Sequence, residues 1–477
     1  MSSHAGRAAT SPALCPATQG SAWFLAAVCL VASLGGFLFG FDTAVISGTF
    51  GFVERQYALS KFLVGWFGSS ALVGCVLGAA LAGWLGDRYG RKPILIFSAA
   101  LFFISALFSA IPPTFEVLIW ARLIGGVGVG LASVLAPLYI SEFAPPRLRG
   151  RLVATYQLSI VIGILAAYFS NWLLLRFAQA HPQLFGGRGW WHWVLVGEVW
   201  RGMFGAEMLP AALFFWLLFV VPESPRWLLK EGRDERGLRI LAQVSGAAIA
   251  EQEFASIKSA LAQAAGSVRE LFRPGLRTAL LVGVGLSFFG QLTGVNIVVY
   301  YGPAILEEAG FKLGSALQFQ VGFGLVNLLF TLLALWKIDR WGRRPLLIWG
   351  MAAVVLALAV AGALFPFKPA TSLAIVLVLG VYMACIAVSI CAVIWVLTPE
   401  IFPTRLRGRA MSIATLTNWA TNTLSALLFP WYVARFGMHT GFLSFAVICA
   451  VATVFFWRLV PETKGKSLEE IETFWQG

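Results

Sequence analysis

Twelve apolar runs constrain this chain more than any other feature. They fall at about 22–53, 62–85, 93–112, 115–141, 152–176 and 200–221, and, after a charged gap, at about 278–306, 317–337, 345–366, 371–400, 410–431 and 436–460. Each matches the roughly 20 residues a helix needs to cross a bilayer, and the longer ones are expected to tilt. Only 12% of the 477 residues are charged against 59% hydrophobic, about half the charged share of a soluble domain. The fold class expected is an all-α membrane protein of twelve transmembrane helices.

A net charge of +13 would suggest nucleic acid as partner if the chain were soluble. Its placement says otherwise. Most Lys and Arg sit on alternate connections: Arg88, Arg91 and Lys92; Arg147, Arg149 and Arg151; the stretch from Arg226 to Arg277; Lys337, Arg340, Arg343 and Arg344; Arg405, Arg407 and Arg409; then Arg458, Lys464 and Lys466. The other connections are nearly bare, and a basic excess marks the cytoplasmic side. Both termini and the segment 222–277 are therefore expected in the cytoplasm, with the chain multi-pass in the cell (inner) membrane and no nucleic-acid partner. Residues 1–20 lack a signal-peptide core and read as a disordered tail. The division expected is a tail (1–20), a six-helix bundle (21–221), a cytoplasmic helical linker (222–277), a second bundle (278–460) and a tail (461–477). Cys29, Cys75, Cys385, Cys391 and Cys449 lie in apolar runs and Cys15 in the tail, with no spacing that suggests a disulfide framework or a metal.

The halves repeat. Gly86-Asp87-Arg88-Tyr89-Gly90-Arg91-Lys92 after the second run is echoed by Asp339-Arg340-Trp341-Gly342-Arg343-Arg344 after the eighth. Arg147-Leu148-Arg149-Gly150-Arg151 returns unchanged as Arg405-Leu406-Arg407-Gly408-Arg409, preceded in both places by Glu and Pro (Glu142 and Pro145; Glu400 and Pro403). Pro222-Glu223 matches Pro461-Glu462. Two parallel six-helix repeats imply a pseudo-twofold axis along the membrane normal and a solute site between them near the midplane.

Three groups of polar residues stand out against this frame. Asp42, Arg122 and Glu207 lie inside apolar runs at comparable depth, and an acid at bilayer depth needs a partner, a proton or a wet cavity. An Asp–Arg pair contested by a second acid can take up and release a proton; a static salt bridge is the alternative. Asp87, Arg91, Glu142, Arg149, Glu223 and Arg226 in one half and Asp339, Arg343, Glu400, Arg407 and Glu462 in the other form acid–Arg clusters in the basic loops. Acids contribute little to topology, so these clusters suit reversible latches of an outward-open state, although any one Arg could serve topology alone. Gln157, Gln291, Asn296, Asn327 and Asn418 offer both donors and acceptors, as a neutral polyol requires, with Trp395 and Trp419 as apolar faces. Interhelical hydrogen bonds are the competing use of each amide.

These residues resemble the sugar porters of the major facilitator superfamily, and among them bacterial sugar/proton symporters of the xylose type. The resemblance runs from about Cys29 to Trp475. It is carried by Gly40-Phe41-Asp42-Thr43-Ala44-Val45-Ile46-Ser47-Gly48, Pro137-Leu138-Tyr139 through Gly150, Pro222-Glu223-Ser224-Pro225-Arg226-Trp227-Leu228, Gln291-Leu292-Thr293-Gly294-Val295-Asn296 with Tyr300-Tyr301, and Pro461-Glu462-Thr463-Lys464-Gly465. It implies two pseudo-symmetric bundles, alternating access, Asp42 as the proton-coupling acid paired with Arg122, and sugar contacts at Gln157, Gln291, Asn296, Trp395 and Asn418. Facilitative glucose transporters of the family carry Asn in place of Asp42, so the implied activity is proton-coupled uptake of a hexose or pentose. A facilitator or a sugar sensor is the alternative, although the tail after Val460 offers no signalling domain. The cytoplasmic segment lacks nucleophile, metal and nucleotide motifs, so neither an enzyme nor a cofactor is expected, and a monomer is. Gly290 replaces the first glutamine of the family's Gln-Gln pair and leaves room for water or a sugar substituent. Cys391-Ala392 replaces Gly-Pro ahead of Trp395, which leaves the bend of that helix open. Ile164 matches the glucose transporters and leans towards a hexose.

Overall fold

A computed structural model describes residues 20–145, 147–262, 268–273, 276–402 and 406–464. Most of the two expected tails, with Cys15 and Lys466, lies outside the described residues, as do Pro403 and Arg405 of the second repeat motif. All secondary structure among the described residues is helical. Eleven helical spans are long and apolar enough to cross a membrane: α1 (Ala22–Gly48), α2 (Lys61–Tyr89), α3 (Arg91–Ala110), α4 (Phe115–Phe143), α5 (Arg149–Ala180), α6 (Val199–Val220), α7 (Leu276–Glu308), α8 (Leu313–Trp341), α9 (Arg343–Phe367), α10 (Ser372–Glu400) and α12 (Met438–Leu459). The remaining helix, α11 (Arg407–Phe436), has 30 residues but is less apolar. Thr415, Thr417, Asn418, Thr421, Asn422, Thr423 and Ser425 lie along it, and such a stretch is stable at depth only where it faces protein or a cavity.

The helices pack as two bundles whose contacts repeat six helices apart. In the first, α1 lies on α5, α2 on α4 and α3 on α6; in the second, α7 lies on α11, α8 on α10 and α9 on α12. Two symmetry-related contacts join the bundles, α2 with α11 and α5 with α8. Segment 222–277 forms short helices at Pro225–Lys230, Asp234–Ser245 and Ala247–Ala262, closed around Leu229, Leu241 and Ala250. It sits at the end of the molecule where the described residues begin and end, at 20 and 464: the Ser21 amide donates to the Gln243 carbonyl at 2.8 Å, and the Trp227 indole to the Asp87 carbonyl at 3.1 Å.

Four of the apolar runs, continuous in sequence, are broken in the structure. Spans α1, α6, α7 and α10 interrupt at Ile46–Gly48, Ala206–Glu207, Leu292–Gly294 and Ser389. A break frees backbone groups where the bilayer offers no water, so neighbouring side chains must satisfy them. The Asn171 amide donates to the Val45 carbonyl at 2.9 Å. The Tyr382 hydroxyl donates to the Thr293 carbonyl at 3.0 Å. At the α10 break the Ser389 hydroxyl adds a second hydrogen bond, at 2.8 Å, to the Cys385 carbonyl, which the Ser389 amide already reaches at 3.1 Å. The bend of α10 thus survives the loss of Gly-Pro: it falls at Ser389, just before Cys391-Ala392.

The repeated loops fold into repeated geometry. Arg91 holds Glu142 through Nε at 3.1 Å and Nη2 at 3.0 Å, and Arg343 holds Glu400 at 3.1 Å. Oε2 of each glutamate takes a hydroxyl at 2.5 Å, from Ser224 in one half, where Arg91 Nε shares that oxygen, and from Thr463 in the other. Glu223 accepts the Arg91 and Lys92 amides at 3.0 and 3.2 Å; Glu462 accepts those of Arg343 and Arg344, both at 3.1 Å. The turn that presents these amides needs glycine twice over. Gly90 and Gly342 have φ of 101° and 89°, and a Cβ there would lie 2.3 and 2.6 Å from an oxygen of Glu223 and Glu462. Gly90→Ala and Gly342→Ala are each expected to lose about 1–3 kcal/mol of stability. Thermal unfolding in detergent checks this against Gly83→Ala, whose Cβ meets nothing within 4 Å; equal melting of all three would refute the account.

Candidate functional site

Asp42 lies three residues before the end of the regular part of α1 and is fully buried. Its Oδ1 meets Nη1 of Arg122, from α4, at 2.6 Å, and its backbone carbonyl accepts from Nη2 at 3.2 Å. The Arg122 guanidinium also lies 5.4 Å from the Phe204 ring of α6. The break in α6 sets Glu207 at the start of that helix's second piece, fully buried, with its carboxyl facing that of Asp42 and near Arg122. Asp42 Oδ2 and both Glu207 oxygens have no hydrogen-bond donor. The three ionisable residues of the apolar runs are therefore one cluster holding two carboxyls and a single guanidinium. A buried acid–base pair is costly to desolvate and gains its worth from geometry; here Arg122 grips both the side chain and the main chain of Asp42.

On the adjoining face of α1, Phe39 and Thr43 line a central cavity of about 130 Å³ between the bundles. Gln157, Gln291, Asn296, Asn327, Trp395, Asn418 and Trp419 all line it. Three of the amides form a chain: Asn296 donates to Gln291 at 2.5 Å, and Gln291 to Asn418 at 2.7 Å. Trp419 packs on Phe39 with ring centres 5.3 Å apart, linking α11 to α1, while Trp395 is 43% exposed. Sequence reading missed Asn422, which donates to the Tyr300 hydroxyl at 3.0 Å and lies in the same wall. Its place one helical turn after Asn418 was the available signal. Gly290 also lines the cavity, yet the space beside it is not open. A Cβ at 290 would meet Ile394 Cδ1 at 3.3 Å and Ile390 Cγ1 at 3.5 Å, so isoleucines of α10 flank the space on that side.

The end away from the chain termini is closed. Phe50 stacks on Tyr301 of α7 at 4.5 Å, and the Tyr301 hydroxyl donates to the Ala426 carbonyl of α11 at 2.9 Å. At the other end the acid–Arg clusters pair within their own halves. Asp87 meets Arg91 and Lys230, Asp339 meets Arg343, and Arg149 donates to the Ser141 carbonyl at 3.1 Å. Arg226 is exposed, and Arg407 is half-buried at the start of α11. Burial pushes the Glu223 carboxyl up from its ordinary value, against the pull of the Ser224, Lys92 and Arg91 amides and the Arg91 charge.

A closed far end, a polar cavity on the twofold axis and a buried ion pair beside it describe a carrier. The family model described as "Sugar (and other) transporter" matches residues 28–475. This chain belongs to that family. It is 40% identical over 454 residues to the arabinose-proton symporter of Bacillus subtilis (strain 168), covering 95% of each chain. It is 38% identical over 494 residues to the D-xylose-proton symporter of Escherichia coli (strain K12), covering 96% of this chain and 97% of that one. A solved structure of the E. coli xylose transporter in a partially occluded inward-open conformation aligns with a TM-score of 0.81 at 35% identity, over 94% of this chain and all of the other. The fold of this sugar transporter family member is thus the major facilitator fold, twelve helices in two pseudo-symmetric bundles.

Removing one partner of a buried pair strands the other charge, at a cost of about 3–5 kcal/mol. Arg122→Met is therefore expected to lower the unfolding temperature markedly, and Asp42→Asn in the same chain to restore part of the loss. A double-mutant cycle by thermal unfolding measures this, and additive losses would mean the two side chains do not act as a pair.

Proposed function

We propose that this protein carries a monosaccharide and a proton together across the cytoplasmic membrane by alternating access. The observation that carries the reading is the pair of carboxyls, Asp42 and Glu207, set against the single guanidinium of Arg122. Charge balances there when one carboxyl holds a proton. The same turn of α1 supplies Phe39 and Thr43 to the cavity wall, so a shift of α1 on protonation is felt directly where the sugar sits. The cavity has room for roughly ten waters, the scale of one sugar ring. Its amides offer donors and acceptors, Trp395 and Trp419 offer faces to C–H groups, and no charged side chain lines it. That combination suits a neutral polyol, and relatives named for arabinose and xylose point to the same class. Asp at 42, rather than a neutral residue, favours coupling over simple facilitation.

The chain works in this reading as a monomer in the lipid bilayer, with residues 222–277 as the cytoplasmic linker between bundles and both termini cytoplasmic. The basic loops support that sidedness. The acid–Arg clusters serve as latches: in the conformation described they pair within each half, and in the outward-open state they would also tie the halves together.

In proteoliposomes, Asp42→Asn is expected to abolish uphill accumulation while sugar counterflow persists. A mutant that still concentrates sugar would remove Asp42 from the coupling role, and wild-type accumulation that survives collapse of the proton gradient would make the protein a facilitator. Asn418→Ala should weaken sugar binding by up to about tenfold, the worth of one neutral hydrogen bond; unchanged affinity across a panel of pentoses and hexoses would take the amide chain out of the binding site. For the latches, Glu142→Gln or Glu400→Gln should raise labelling of cleft cysteines from the cytoplasmic side, and unchanged labelling would leave these residues as topology determinants.

A further inference from the structure

Transport leaves unused a second, larger cavity of about 560 Å³. It lies at the terminus-bearing end, between the start of α3, the end of α6 and the helices Pro225–Lys230 and Asp234–Ser245. Its polar wall holds three cations, Lys92, Arg233 and Arg236, and one acid, Glu223. That acid is already engaged by the backbone amides of Arg91, Lys92 and Ser224. The neighbouring acids are also committed, Asp87 to Arg91 and Lys230 and Asp234 to Lys258. Arg233 lies 5.6 Å from the Trp227 ring, and neither it nor Arg236 has an ion-pair partner among the described residues. The Lys92 ammonium reaches the Phe219 carbonyl at 3.1 Å. The cavity lining thus carries an excess of positive charge, three cations against one acid.

Its other wall is apolar, with Pro93, Ile96 and Pro222 on the crossing helices. Beside these, Phe97, Phe219 and Val220 are 50%, 52% and 81% exposed, on surfaces that face acyl chains in a bilayer. Positive charge at the head of a lipid-facing apolar strip matches an amphiphile rather than a soluble anion. We propose that this cavity binds the headgroup phosphate of an anionic phospholipid, with Lys92, Arg233 and Arg236 around the phosphate and the acyl chains laid along Ile96, Phe97 and Phe219. Basic pockets between crossing helices and juxtamembrane segments hold such headgroups, and arginine suits the phosphate because its planar fork meets two oxygens at once.

The test uses full-length protein stripped of lipid in detergent, titrated separately with phosphatidylglycerol, phosphatidylcholine and sn-glycerol 3-phosphate and followed by native mass spectrometry. The wild type is expected to retain phosphatidylglycerol selectively. Arg233→Gln and Arg236→Gln should each weaken retention by about fivefold. Arg239→Gln, an exposed residue of the same helix outside the cavity, should leave it unchanged. Equal retention of phosphatidylcholine would overturn the proposal in favour of apolar adsorption without charge selectivity, and an equal loss in Arg239→Gln would overturn it in favour of diffuse surface charge. Glycerol 3-phosphate binding as tightly as the lipid would overturn it in favour of a soluble phosphate ester. Sugar binding by the same variants is expected to stay intact, which separates this result from the fate of the transport reading.

Discussion

Inside a bilayer a backbone amide or carbonyl that loses its helical partner has no water to turn to, and this constraint governs where the protein can be irregular. Spans α1 and α7 break where Asn171 and Tyr382 take up a freed carbonyl. The breaks in α1 and α7 are related by the pseudo-twofold axis and flank the central cavity. These two breaks bring α1 and α7 together where the bundles meet. The break in α6 does a different job, setting Glu207 opposite Asp42.

At the terminus-bearing end the same motif is solved twice. A glutamate carboxylate lies over the first turn of a helix, accepting consecutive amides: Glu223 over α3 and Glu462 over α9. Negative charge at a helix N-terminus is favourable, and the glycine before each helix lets the carboxylate approach. The arginine that opens each helix then reaches back to a second glutamate at the end of α4 or α10. Three helices per half are tied at one end by charge, while their apolar shafts provide little directionality against one another. Alternating access, in the reading proposed above, would require bundles that move as units, and these ties within each half are of the kind that would hold a bundle together.

The central charges are arranged differently. Asp42, Arg122 and Glu207 all belong to the first bundle, and the amide chain of Asn296, Gln291 and Asn418 belongs to the second. Helix α1 connects them, because Asp42 and Thr43 are consecutive residues with side chains directed to different neighbours. In the reading proposed above, coupling between proton and solute would need no long relay, only two positions of α1; the contact of Phe39 with Trp419 places the second bundle against that same helix.

The number of spans, the two halves and the paired loop motifs were legible in the sequence, since hydropathy and charge are properties of composition along the chain. Asp42, Arg122 and Glu207 were legible as candidates because an acid or a guanidinium within an apolar run is costly unless used. What sequence left open was relation in space. It did not tell that α6 breaks before Glu207 and so brings a second carboxyl to the first, or that Ser389 bends α10 in place of a glycine-proline pair. It read Gly290 as vacant room and did not tell that Ile390 and Ile394, a hundred residues later, lie beside it. It passed over Asn422 because an asparagine in a polar helix has no address until the helix is turned. Periodicity and hydropathy determine which segments are long and apolar enough to cross the membrane; helix rotation, local breaks and the filling of space between distant segments depend on packing, and only the tertiary structure decided them.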